Sequence, residues 1–381
     1  MTAAIDPVDL AKRLIACPSV TPEEGGAQAL LADVLTGLGF EVHRSLDGEA
    51  PDDPVPNLFA TRGKEETGGG PHFAFAGHTD VVPPGEGWTG DPFTPEVRGE
   101  LLYGRGAVDM KGAIAAMVAA AERVSNHDGR LSFIITGDEE GPAVHGTRAL
   151  MKWMAGRNIR PDMILVGEPT SETRLGDTVK IGRRGSVNMF IDVAGHQSHV
   201  AYPHNGDNPI PKLVAIASRL HEMTLDDGHD WFQPSNLEIT TVDVANPAHN
   251  VIPGTAHMRL NIRFNVHHKG AELVERVERI VAEEAPGSRF EAKISGEAFL
   301  TEPGPLSNLV SGAIADVTAV SAALSTSGGT SDARFLHTLC PVVEFGLLNA
   351  TMHKLDEAVA VDDLNTLADI YTGVLKRAFA A

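Results

Sequence analysis

Five short polar segments carry the residues best able to do chemistry. They are Gly77-His78-Thr79-Asp80, Gly106-Ala107-Val108-Asp109-Met110-Lys111-Gly112, Thr136-Gly137-Asp138-Glu139-Glu140-Gly141, Gly167-Glu168-Pro169-Thr170 and Ala350-Thr351-Met352-His353-Lys354. Two imidazoles and several carboxylates form the nitrogen and oxygen donor set that suits a divalent cation, zinc first among them. Three of the segments close apolar runs, Phe73 to Ala76, Leu131 to Ile135 and Met163 to Val166, that read as buried strands. In open α/β sheets ligands bind beyond the carboxyl ends of the strands. The pattern therefore predicts a metal centre at one sheet edge, with hydrolysis as its first chemistry.

Within that set, roles follow from spacing. Positions i and i+2 of a strand point the same way. Asp80 is therefore predicted to hydrogen-bond the His78 nitrogen that does not hold metal. Glu139 and Glu140 are consecutive and diverge from an extended backbone, so one suits a ligand and the other a general base, in either order. Asp109, Glu168, one of the glutamates and a hydroxide balance two divalent cations, with His78 and His353 as neutral ligands. A mononuclear site is the alternative count. The plain competing readings are a hydrogen-bonded core histidine and acidic surface turns, and Asp138 fits the latter.

The chain has 381 residues and a formal net charge of −20. That length favours two domains, and that charge argues against a nucleic-acid partner. Most of the 51 acidic residues read as solvated surface. Cys17 and Cys340 stand far apart, which suggests a reducing compartment without a disulfide framework. The opening residues Met1 to Asp6 lack a basic stretch followed by an apolar core, so no secretory signal is expected. No apolar run approaches the ~20 residues a bilayer requires. The expectation is a soluble cytoplasmic protein.

The elements that must position the donors alternate in β-α-β order up to about residue 180, the mark of an α/β domain. Helices are predicted over 6–16, 24–39, 111–124 and 146–155. Residues 47–56, 63–71 and 83–99 read as loops. After Lys180 the style changes. Val187, Met189, Ile191 and Val193 alternate with polar residues, a helix spans 209–220, and strands fall near 237–240 and 258–266. A helix over 271–282 and a strand at 290–294 complete the ferredoxin-like split βαβ order. Beyond residue 296 the apolar-run style returns, with helices at 309–318 and 364–378 and a strand at 342–345. The simplest organisation is one catalytic domain, 1–181 and 296–381, interrupted by an inserted domain over 182–295.

These segments, quoted in order, resemble metallopeptidase family M20 from end to end. The resemblance implies an α/β zinc-hydrolase-type catalytic domain with a central mixed sheet, interrupted by a ferredoxin-like α+β dimerisation (lid) domain. It implies two Zn2+ per subunit, with Co2+ able to substitute. His78 and Glu168 would hold one ion, Glu140 and His353 the other, and Asp109 would bridge them. Glu139 would be the general acid/base, with Asp80 behind His78. The Asp109–Met110 peptide would be cis. His199 would reach into the partner subunit's site of a homodimer and stabilise the oxyanion.

His199-Val200-Ala201-Tyr202-Pro203-His204 and Gly328-Gly329-Thr330-Ser331-Asp332-Ala333-Arg334-Phe335 match a narrower part of the family. They imply hydrolysis of N-succinyl-LL-diaminopimelate to succinate and LL-diaminopimelate, a small-molecule substrate with several carboxylates. Arg183, Arg263 and Asn250 match substrate-binding positions, with Tyr202, Ser331 and Gly329 as neighbours. Arg184 and Arg334 suit structural ion pairs, and His249 stands where some members carry Asn. Other amide hydrolases of the family, acting on acetylornithine or acylated amino acids, are the close alternatives. A non-catalytic metal- or peptide-binding protein is the distant one.

Overall fold

The structure is a computed structural model and describes residues 4–49, 53–63 and 70–380. The readings made of Met1 to Ala3, of loop residues 50–52 and of loop residues 64–69 lie outside the described residues. By their contacts the residues form two compact units. One comprises Met1–Ile181, Thr301–Ser325 and Ser331–Ala381, and the other Gly182–Leu300 and Thr326–Thr330.

The first unit is built on a mixed eight-stranded sheet. Its order is Glu41–Asp47, Val55–Gly63, Arg130–Thr136, His72–His78, Met163–Val166, Val342–Glu344, Thr178–Lys180 and Ala323–Ser325. Strand His72–His78 pairs in parallel with both Arg130–Thr136 and Met163–Val166. Met163–Val166 in turn pairs in parallel with Val342–Glu344. Four neighbouring strands thus end at the same edge. Phe73 to His78 and Leu131 to Thr136 are buried at every position. This is why they read as unbroken apolar runs, since strands of parallel sheets are covered on both faces.

Helix starts follow local chemistry. The Asp6 side chain accepts the Val8 N–H at 2.9 Å, with Pro7 in the first turn, so Pro7–Ile15 begins there. A side-chain acceptor at that position satisfies an amide that the helix itself cannot. Helix Lys111–Arg123 is buried continuously from Lys111 to Ala121. Its alanines let it pack closely between Pro7–Ile15 and the long helix Val361–Ala378. A three-stranded sheet, Ala358–Ala360, Leu101–Tyr103 and Glu96–Arg98, lies partly where a long loop was expected. Three-residue strands are too short to show a period.

The second unit contains strands Gly185–Ala194, Asn236–Asp243, Thr255–Phe264 and Arg289–Gly296 with helices Pro209–His221 and Gly270–Glu284. The sheet order is Asn236–Asp243, Thr255–Phe264, Gly185–Ala194, Arg289–Gly296, all antiparallel. This is the ferredoxin-like arrangement. Val187, Met189, Ile191 and Val193 join Leu213, Ile216, Leu220, Leu273, Val277 and Val281 in one core. The period of two survives here because only one sheet face is covered.

The fold class is therefore α/β with a central mixed sheet, and its chain is interrupted by an α+β unit.

Candidate metal centre

The parallel strands deliver the donors. His78 is the last residue of its strand, opposite Thr136 of its neighbour. Glu139 and Glu140 follow Thr136 by three and four residues, and Glu168 follows Val166 by two. Asp109 precedes helix Lys111–Arg123, and the Asp109–Met110 peptide is cis. The second imidazole, that of His353, comes from the segment after Val342–Glu344, and its backbone is left-handed, φ +58°.

Asp109 lies between the two imidazoles. Its Oδ1 is 3.2 Å from His78 Nε2 and its Oδ2 is 3.1 Å from His353 Nε2. His353 Nε2 is also 2.8 Å from Glu140 Oε1. Two sets of donors emerge, His78, Asp109 and Glu168 in one and Asp109, Glu140 and His353 in the other, each with its ligand atoms within 4.8 Å of one another. His78, Glu139 and Glu140 form a third such set. His78, Asp109 and Glu168 are buried, whereas His353 is exposed.

The electrostatics fit a cation. Burial disfavours a charged His78, yet the carboxylates of Asp109 and Asp80 raise its proton affinity well above the ordinary value. Hydrogen bonds to Asp109 and Glu140 push His353 up to about 10. Burial opposes ionisation of Asp109, but the two imidazoles hold its carboxyl well below the usual range. Burial, and then the charge of Glu168, push the Glu139 carboxyl up. Positive charge is drawn to the place where these groups converge. Imidazoles and carboxylates together are the donor set of a zinc-like divalent ion.

Asp80 differs from its expected geometry. His78 Nδ1 is 2.9 Å from the Asp80 main-chain oxygen and 3.6 Å from its carboxylate. The carboxylate instead accepts the backbone N–H groups of Glu139 at 3.3 Å and Glu140 at 3.0 Å. Asp138 accepts the N–H groups of Val144 and His145 and so shapes the turn after the glutamates.

Glycine makes room behind the ligands. A Cβ on Gly77 would lie 2.5 Å from Met110 Cε, and one on Gly167 would lie 2.3 Å from Met117 Cε. Each glycine immediately precedes a donor, so the methionines pack directly beneath His78 and Glu168.

Two residues in this region stand outside the donor pattern read from the sequence. Glu357 is fully buried and accepts N–H groups from Gly106, Val108 and Asp109 at 3.0, 2.8 and 3.1 Å. Arg105 Nη1 donates to the same carboxylate at 2.7 Å. The only available hint was an arginine set between Gly104 and Gly106, just before a donor.

Of the remaining candidates, Ser331 is buried in the first unit and donates its hydroxyl to Glu344 at 2.5 Å. Its neighbour Asp332 accepts from Thr147 at 2.6 Å, and burial pushes the Asp332 carboxyl up to about 6. Arg183, His199, Tyr202, Asn250, Arg263 and Gly329 belong to the second unit. There Arg183 is buried and donates to the Ser327 carbonyl at 3.3 Å. Arg263 is half-buried and pairs across the sheet with Ser186 and Asn236. His199, Tyr202 and Asn250 are exposed, and His199 Nδ1 accepts the Ala201 N–H at 3.1 Å.

Comparison with known proteins accords with this geometry. A succinyl-diaminopimelate desuccinylase of Rhizorhabdus wittichii is 65% identical over 376 residues, covering 99% of each chain. One from Sphingopyxis alaskensis is 64% identical over 380 residues, covering 100% of each. Among solved structures, aminopeptidase PepT of Bacillus cereus has the same fold, with a TM-score of 0.79 at 19% identity over 98% of each chain. So does an M20 family metallo-carboxypeptidase of Sulfolobus solfataricus, with a TM-score of 0.79 at 14% identity over 99% of this chain and 100% of that one. A family model described as peptidase family M20/M25/M40 matches residues 74–377, a stretch that holds every donor named above. With that match and those full-length relatives, the chain belongs to peptidase family M20/M25/M40.

Proposed function

We propose that this protein is a zinc-dependent amide hydrolase that cleaves N-succinyl-LL-diaminopimelate to succinate and LL-diaminopimelate. The observation that carries the hydrolytic reading is Asp109, whose two carboxylate oxygens face two different imidazoles. The substrate reading is supported by full-length relatives, 65% and 64% identical, named succinyl-diaminopimelate desuccinylase.

His78, Asp109 and Glu168 would hold one Zn2+, and Asp109, Glu140 and His353 the other, with Co2+ able to substitute. When bound, such a pair supplies Lewis acidity and makes water a stronger nucleophile at neutral pH. Glu139 then takes a proton from the attacking water and returns it to the departing nitrogen, as a positioned carboxylate can. Asp80 holds the backbone of Glu139 and Glu140 and so fixes where both carboxylates point.

His199 Nδ1 accepts a backbone N–H, which leaves the hydrogen of the neutral ring on Nε2. That N–H is suited to stabilise the oxyanion that develops on the amide oxygen. We assign it to the site of the second copy in a homodimer formed through the inserted unit. That unit exposes two large apolar side chains, Val214 and Val242, 57% and 59% accessible, and covering them would favour association. Arg183, Tyr202, Asn250, Arg263 and Gly329 are assigned to the substrate's carboxylates, for which cationic and amide donors are suited. The Ser331 hydroxyl is committed to Glu344, so Ser331 is assigned to holding its loop. Two free cysteines support a cytoplasmic location, and no helix among the described residues is long and apolar enough to cross a membrane.

The test combines metal analysis with turnover of succinylated diaminopimelate and of acetylornithine. The succinyl substrate should be cleaved faster, and Glu139→Gln should retain metal while losing roughly 10²–10⁴-fold in kcat. Faster cleavage of acetylornithine would overturn the substrate assignment.

A further inference from the structure

The segment that carries His353 also holds the loop that carries Asp109. Four residues after His353, the buried Glu357 carboxylate gathers the N–H groups of Gly106, Val108 and Asp109 and the guanidinium of Arg105. The Glu357 carbonyl accepts the Gly104 N–H at 3.0 Å. Beyond it, Ala358–Ala360 pairs antiparallel with Leu101–Tyr103, the strand that leads into the Asp109 loop. Thr351 closes the His353 loop on itself, because its hydroxyl donates to the Ala358 carbonyl at 2.8 Å and accepts the Ala358 N–H at 3.2 Å. His353 and Asp356 both have left-handed backbones, φ +58° and +53°. Non-glycine residues hold that conformation only where their surroundings impose it.

We propose that Glu357 is a positioning residue for the metal centre, acting with Arg105 to hold the Asp109 loop and the His353 loop in one register. Its carboxylate is taken up by those three amides and the guanidinium, so its part is to position and not to ligate. It sets the separation of two donors from distant parts of the chain. The inference rests on the two-ion reading above. His78 ends one strand of the central sheet and Glu168 follows another, and both stay placed without the clamp. Asp109 and His353 do not, so the ion they share with Glu140 depends on it.

The metal-free protein would be titrated with Co2+ alone, by calorimetry and by the visible spectrum of the bound ion, for wild type, Glu357→Gln, Glu357→Ala and Arg105→Lys. Glu357→Gln keeps the shape but loses acceptor capacity for the amides. It should weaken the second equivalent at least tenfold, change the first less, and alter the spectrum of the second. Glu357→Ala should do more and Arg105→Lys less. With zinc restored, Glu357→Gln should lower kcat and leave KM within about twofold. Unaltered Co2+ affinities and spectrum in a folded Glu357→Gln protein would overturn the proposal, even if its thermal stability fell. Should Glu357→Ala fail to fold, Glu357→Gln and Arg105→Lys decide the matter. A single equivalent in wild type would defeat the two-ion reading, and the clamp would then stand or fall on a tenfold loss of that one affinity.

Discussion

The Asp80 carboxylate accepts the Glu140 N–H at 3.0 Å, while the His78 imidazole meets the Asp80 main-chain oxygen. Removing the carboxylate therefore leaves the histidine contact intact and releases the glutamates. Asp80→Ala should lower kcat by roughly 10²-fold, the cost of misplacing a catalytic group by about 1 Å. Asp80→Asn keeps one acceptor and should lose less. Kinetics and metal content on both variants check this, and equal losses in the two would count against the amide contact as the cause.

Asp109 faces both imidazoles, which only a carboxylate with two equivalent oxygens can do as an acceptor on both sides. On the two-zinc reading proposed above, Asp109→Asn should reduce bound metal from two ions per chain toward one, as read by elemental analysis. Chelation of the wild-type protein should abolish turnover, and either Zn2+ or Co2+ should restore it. A variant that kept both ions would remove Asp109 from the bridging position.

Gly346 lies against the chain that carries Glu168. A Cβ there would stand 2.5 Å from the Gly167 carbonyl oxygen and 2.6 Å from that of Glu168. Backbone cannot swing aside as a side-chain tip can. Gly346→Ala should destabilise the protein by about 1–3 kcal/mol and weaken metal binding, measured by denaturant titration with and without zinc. Wild-type stability would show that the strands separate freely at this point.

His72 predicts an acid sensitivity remote from the metal centre. Its Nε2 lies 2.8 Å from the Ser132 hydroxyl, which in turn is 3.0 Å from that of Thr61. Burial, and then the charge of Arg130, lower its pKa to about 4, against the opposing effect of Asp162. The ordinary value is 6.5. Between pH 6.5 and 4 the unfolded chain binds a proton that the folded protein refuses. The contribution is thus fully present above 6.5 and is lost as pH falls toward 4, with a slope of up to about one proton. His72→Gln should flatten the stability profile in that window. An unchanged slope would assign the sensitivity to other groups.

Much of this protein is legible in its residue types and their spacing. The ends of the apolar runs at Ala76, Ile135 and Val166 marked a sheet edge, because strands covered on both faces must be continuously apolar. The alternation from Val187 to Val193 marked a sheet covered on one face, hence a different kind of unit. Imidazole and carboxylate chemistry pointed to a cation. The sequence by itself therefore determined the two styles of sheet and the stock of donors, since both depend on residue type and local period. Only the tertiary structure decided that Asp80 holds two amides, that Ser331 is committed to Glu344, and that Glu357 gathers the Asp109 loop. Those contacts join residues far apart along the chain, and hydrogen bonds between distant segments leave no period from which to read them.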